Sequence, residues 1–280
     1  MVLSSLQRTI LEIGRISTAL CILADAWWWM WSHEVREAYF KELGLPTKLV
    51  YLVAIVYAYF GTRILLNYRT QASCTGMIIT YGLLTFVVHH PVGEGGIGEY
   101  PRHINRDVNL VNILKYAAVI GGVFQLSGMG DFQDRGGTIM EGTQSYAIVL
   151  GRAIIGIHYT LESFWFRLYH HELRTTQIKL MGGDPITHVW IVGAIYFFGG
   201  LNLLLGDATR RRIAALLLTI VTSILTVMEG STVATSLGIY HMTSKARFHH
   251  VIVNVQIIIG CVMALTLGGH EVIGYQNKKD

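Results

Sequence analysis

Long apolar blocks, separated by short polar gaps that carry proline and glycine, run the length of this chain. Eight of them approach the roughly 20 residues an α-helix needs to cross a bilayer: 13–32, 46–66, 73–90, 108–127, 147–168, 186–206, 211–228 and 249–269. The gaps include Gly44-Leu45-Pro46, His90-Pro91-Val92-Gly93 and Gly183-Asp184-Pro185. Proline in the first turn of a helix removes no intrahelical hydrogen bond, so each tripeptide or tetrapeptide predicts a helix start. The first residues, Met1 to Gly14, hold Arg8 and Glu12 among apolar neighbours and show no small-residue cleavage site. They predict mature protein, with an interfacial helix ahead of the first span.

The blocks repeat. Gly14-Arg15 followed by Asp25 matches Gly151-Arg152 followed by Glu162, with the same arginine-to-acid spacing. Pro46 matches Pro185, Val53-Ala54-Ile55-Val56-Tyr57 matches Val192-Gly193-Ala194-Ile195-Tyr196, Gly61 matches Gly200, and Gly121-Gly122 matches Gly260-Cys261. The offset stays at about 137 to 139 residues, as it does in duplicated units. The expectation is an all-α integral membrane protein of eight transmembrane helices in two parallel four-helix repeats, residues 1–127 and 147–280, joined by a linker at 128–146. An even number of helices per unit points both halves the same way, with a pseudo-twofold axis along the membrane normal, unlike inverted-repeat transporters.

Composition agrees with a bilayer solvent: 52% of residues are hydrophobic and 14% charged, with a mean hydropathy of +0.44. The net charge of +4 arises from 22 basic and 18 acidic residues, the basic ones set singly in loops and not in a stripe. That distribution argues against nucleic acid as a partner. Basic residues fall on both sides of the predicted spans, and only Arg210-Arg211-Arg212, in a very short loop, favours cytoplasmic or matrix-side termini. Cys21, Cys74 and Cys261 lie in apolar stretches without a C-x-x-C pair, which predicts packed thiols and neither a disulfide framework nor a zinc site.

Asp25 and Glu162 stand well inside the first span of each repeat, where a charge costs several kcal/mol unless it is paired or faces a wet cavity. Arg15 and Arg152 lie ten residues earlier on the same helices, roughly 15 Å away along the axis and too far to pair with their own acid. Each carboxylate therefore needs a partner from another helix, and Arg15, Arg152 or Arg63 are the expected ones. Arg15, Asp25, Arg63, Arg152 and Glu162 form the candidate intramembrane polar site. Two roles stay open: buried ion pairs that fix helix register, or a ligand or ion site. Arg63 and Lys115 can also reach the headgroup region along their methylene stems.

Twelve histidines include the pairs His89-His90, His170-His171 and His249-His250, with His158 in mid-span. The pairs fall at predicted helix ends, and adjacent helical positions do not share a face, so no haem, metal or other cofactor is expected. The glycine-rich loop 93–98 follows a span and not a strand, which argues against a phosphate cradle. Trp27-Trp28-Trp29, Trp31 and Phe164-Trp165-Phe166 are expected to anchor at the headgroup level. Catalytic triads and paired acids are not evident, and the chain is not expected to be an enzyme.

Gly44-Leu45-Pro46 before the second helix, and Asn112-Ile113-Leu114-Lys115-Tyr116-Ala117-Ala118-Val119-Ile120-Gly121-Gly122 in the fourth, resemble the four-helix unit of the DoxX-like membrane superfamily. Within it the duplicated layout, with Arg15 through Asp25 followed by Met30-Trp31, is similar to the surfeit locus 4 cargo receptors, over most of the chain. The resemblance implies a non-catalytic receptor or scaffold for a protein or lipid partner, in the endoplasmic reticulum or early secretory pathway. The tail Gln276-Asn277-Lys278-Lys279-Asp280 departs from a dilysine retrieval signal. Other DoxX-like proteins imply an alternative, an accessory transmembrane subunit of a respiratory or quinone-linked redox complex in a mitochondrial inner or bacterial membrane. Its clamps would be the polar connections 91–107 and 127–145. A carrier built on Asp25 and Glu162 is a third reading, disfavoured because matching broken helices are not evident. Under each reading the partners are the lipid bilayer and other membrane proteins.

Overall fold

The computed structural model describes residues 4–42, 44–88, 102–130, 143–164, 184–230 and 244–268. Among these residues there are nine α-helices and no strand: α1 (Ser5–Trp31), α2 (His33–Glu42), α3 (Leu49–Leu65), α4 (Thr70–Val88), α5 (Arg102–Met129), α6 (Thr143–Glu162), α7 (Pro185–Leu205), α8 (Ala208–Gly230) and α9 (Ser244–Leu267). Eight of them stand on the eight apolar blocks.

Local chemistry sets the helix ends. At the start of α1 the Ser4 hydroxyl accepts from the Gln7 amide at 3.3 Å and the Gln7 side chain accepts from the Ser4 amide at 3.0 Å, a capping box. From there α1 runs unbroken for 27 residues. Residues 5–14 are therefore its first turns and not a separate interfacial helix, with Leu11 and Gly14 buried against the bundle. At α7 the Asp184 carboxylate accepts from the amides of Ile186 and Thr187, with Pro185 in the first turn, as the sequence predicted for that start. The short α2 carries no span-length apolar run and is not among the predicted blocks. It stops where Gly44 turns left-handed at φ +69°, and the Leu45 amide closes onto the Phe40 carbonyl at 2.7 Å.

The helices pack in chain order within each half: α1 on α3, α3 on α4 and α4 on α5, then α6 on α7, α7 on α8 and α8 on α9. Between the halves, α6 lies on α5, α1 lies on α9, and α5 and α9 meet each other. The first helix of each half thus docks on the last helix of the other. Glycines permit the closest approaches. A Cβ on Gly121 would come 2.7 Å from the Gly151 carbonyl oxygen, and one on Gly122 would come 3.4 Å from the Gly260 Cα. Small residues let helix backbones draw together where no hydrophobic gradient drives association.

Among the described residues three stretches, 185–205, 208–228 and 248–267, are long and apolar enough to cross a membrane, and α3 is apolar but shorter. The protein is helical and membrane-associated. Of its apolar window α9 buries 67%, against 39% for α7 and 33% for α8, so α9 is an inner helix while α7 and α8 lie outside. Large apolar side chains on the outer helices, among them Ile55, Phe86, Phe198 and Val227, face outward.

Candidate functional site

Asp25 is completely buried. Its Oδ2 accepts from the Tyr81 hydroxyl of α4 at 3.0 Å and from Gln256 Nε2 of α9 at 3.1 Å, and the Gln256 amide also reaches the Tyr81 oxygen at 3.2 Å. Its Oδ1 lies 3.4 Å from His249 Nδ1, a contact of charge-pairing length rather than a well-formed hydrogen bond. His249 and Gln256 are seven residues apart, which puts them on one face of α9. The His249 ring stacks on Trp28, with centroids 3.8 Å apart and planes within 11°. Its Nε2 sits 2.7 Å from the Tyr116 hydroxyl of α5, and Tyr57 of α3 packs on Tyr81 at 5.2 Å. One carboxylate therefore joins α1 to α4 and α9, with α5 reached through His249 and α3 closing the aromatic wall.

Trp28 and Trp29 belong to this wall at 4% exposure each, while Trp27 at 55% and Trp31 at 37% face outward. The expected belt of four tryptophans is thus split, because consecutive positions on a helix point about 100° apart. The Arg36 guanidinium of α2 lies 4.3 Å from the Trp28 ring centre and 4.8 Å from that of Trp29, holding α2 over the site.

Of the expected arginine partners, Arg15 and Arg63 are engaged elsewhere. Arg15, buried on α1, donates to the carbonyl of Ile64 and, at 2.8 Å, to that of Leu65, and it pairs with Glu12. The last carbonyls of a helix lack intrahelical donors and carry the negative end of its dipole, so the C-terminus of α3 competes for this guanidinium. Arg63 turns back one helical turn, donating to the Tyr59 hydroxyl at 2.6 Å and lying over the Tyr59 and Tyr68 rings. Arg152 is buried on α6 beside Gly151, where α6 meets α5.

Glu162, also buried, has His158 as its neighbour one turn back, with Nε2 3.3 Å from the carboxylate. Both line a cavity of about 20 Å³ together with Lys115, Tyr159, Tyr196, Thr222 and Asn254. The cavity has the size of a water molecule. Lys115 does not extend to a headgroup region. It is buried, its Nζ donating to Asn254 Oδ1 at 3.1 Å and lying 3.1 Å from His250 Nε2, since an oxygen and an imidazole on α9 satisfy the ammonium in place. Tyr159 and Tyr196 both meet the Thr222 hydroxyl, at 2.8 and 3.3 Å, and Cys261 Sγ reaches Tyr159 at 3.4 Å.

The two centres adjoin across α5 and α9. Tyr116 faces the Asp25 side and Lys115 the Glu162 side, and His249 and His250 divide in the same way. The sequence places these histidines at a helix end, yet α9 begins five residues before His249, at Ser244, and His249 and His250 contact Tyr116 and Lys115 of α5. Tyr81, Tyr116, Asn254 and Gln256 carried no signal in the sequence beyond being polar residues in apolar blocks. The loop 93–98, His89-His90, His170-His171, Trp165-Phe166 and residues 131–142 lie outside the described residues. Among the described residues, His, Cys, Asp and Glu form no cluster of three that could hold a metal ion. Cys21, Cys74 and Cys261 lie in the helical bundle, Cys74 and Cys261 fully buried. No family model, curated protein or solved structure matches this chain.

Proposed function

We propose that this chain is a non-catalytic, multi-pass membrane protein that serves as a receptor or scaffold for a protein or lipid partner. The observation that carries this reading is how Asp25 is used: a completely buried carboxylate bonded to Tyr81 and Gln256 and set against His249. Its bonds join helices to one another. The space beside Glu162, of about 20 Å³, has room for a water.

The same burial supports eight spans. The charges that lower the hydropathy of α1, α5 and α6 include Arg15, Asp25, Lys115, Arg152 and Glu162, and all five are turned into the protein at 7% exposure or less. A helix that hides its charges can present an apolar face to lipid. The reciprocal docking of α1 on α9 and α6 on α5 supports two like four-helix units about a pseudo-twofold axis. Such a duplicated layout is the one the DoxX-like and cargo-receptor resemblance implies, with the early secretory pathway as the proposed location.

Gentle detergent extraction followed by native sizing tests the reading. A monomer or homodimer is the expected result. A stable assembly of fixed stoichiometry with other chains would replace it with the accessory-subunit alternative.

A further inference from the structure

We infer that the outer groove between α7 and α8 is a binding site for one anionic phospholipid of the surrounding leaflet, its acyl chain in the groove and its phosphate on Arg210. The groove, about 340 Å³, is floored by apolar and small side chains, among them Ala194, Phe198 and Gly199 of α7 and Ile213 and Leu217 of α8. A pocket of this size falls in the range that holds small-molecule ligands. Polarity appears only at one end, where Asn202 and Arg210 line it.

That end is the membrane-surface end. α7 stops at Leu205 and α8 starts at Ala208, so Asn202 and Arg210 each lie within a turn of the connection. From Asn202 to Ala194, and from Arg210 to Leu217, the groove descends roughly 10 to 12 Å along the two helices, most of the way through one leaflet of about 15 Å. A cationic head over an apolar channel running along the membrane normal has the polarity of a single phospholipid.

Charge complementarity selects the anionic class. Arg210, Arg211 and Arg212 are consecutive, and Asp207 is the one acid within the connection. The Asp207 carboxylate is already engaged, accepting from the amides of Thr209 and Arg210 at 3.0 and 2.9 Å. It meets Arg210 only through Nε at 3.4 Å, and the Arg210 side chain stays 71% exposed. The guanidinium fork thus remains open to a phosphate, the anion its geometry fits in two parallel bonds. An anionic leaflet also raises the local concentration of such lipids near basic residues. The site needs only that α7 and α8 cross the membrane, and it stands whether or not the receptor or scaffold reading does.

The test uses the full chain, purified in detergent and titrated with phosphatidylglycerol or with phosphatidylcholine of the same acyl chains, with native mass spectrometry counting retained lipid. One phosphatidylglycerol is expected to be held in preference to phosphatidylcholine. Arg210→Gln should weaken that binding about tenfold or more, the factor carried by one charge-assisted hydrogen bond, and Arg210→Lys should retain most of it. Ala194→Phe, placed on an exposed position at the deep end of the groove, should remove the adduct for both lipids. Thermal unfolding of each variant separates lost binding from lost fold. Equal retention of the two lipids, or a phosphatidylglycerol adduct indifferent to both Arg210→Gln and Ala194→Phe, overturns the assignment.

Discussion

Tyr81 and Gln256 converge on a single oxygen of Asp25, and the cost of disturbing them should be ordered accordingly. Tyr81→Phe keeps the ring against Tyr57 and removes one bond, leaving the Gln256 amide still on the carboxylate; thermal unfolding in detergent should register a loss of about 1 to 3 kcal/mol. Asp25→Leu removes the acceptor of two buried donors, leaving the Tyr81 hydroxyl unpaired and the Gln256 amide only the Tyr81 oxygen, so its loss should exceed that of Tyr81→Phe. If the leucine variant proves as stable as the phenylalanine one, the carboxylate is not what holds these helices. That Asp25 and Glu162 turn inward was legible in the sequence, because a charge in an apolar block has nowhere else to go. Their neighbours were not legible. Arginines looked like the natural complement, but Arg15 is engaged by the α3 carbonyls while a tyrosine, a glutamine and a histidine surround Asp25.

At the scale of helices, α5 and α6 approach closely, with Gly121 and Gly151 between their backbones. A side chain at Gly151 would meet the Gly121 carbonyl oxygen, which has no rotamer by which to move away, whereas one at Gly14 would first meet the flexible Met263 at 3.2 Å. Gly151→Ala should therefore lower stability by about 1 to 3 kcal/mol, and Gly14→Ala by less. Melting temperatures of the two variants decide this, and equal effects would show that the α5–α6 contact yields as readily as the α1–α9 one. Helix starts make a separate prediction. The Asp184 carboxyl is held below the ordinary carboxylate range, first by the Thr187 hydroxyl and then by the backbone amides it caps. A depressed folded value means that the stability it contributes is present above the unfolded value and is lost as pH falls through the folded one. Acidification below about pH 4 should loosen the start of α7, and Asp184→Asn, which caps without titrating, should show a smaller acid-dependent loss across a pH series of melting curves.

For the whole molecule, eight crossings place both chain ends on one side of the membrane, whereas three crossings would separate them. Tags at the two termini of the full chain, probed with an impermeant reagent in sealed vesicles, should be protected or exposed together; opposite accessibility would defeat the eight-span proposal. That a helix stands on each of the eight apolar blocks was legible in the sequence, because an apolar run between proline- and glycine-bearing gaps pairs its own backbone groups most simply as a helix, whereas α2 and the early starts of α1 and α9 were not. The start at Asp184-Pro185 and the inward turn of the charged positions follow from the same local rules. Tertiary structure alone decided the rest. It carried Trp28 and Trp29 into the interior and left Trp27 and Trp31 outside, drew Lys115 onto Asn254, and set His249 against Trp28 and Asp25. Each of those outcomes depends on the rotation and register of one helix against another, a relation between residues far apart in the chain that no local pattern encodes.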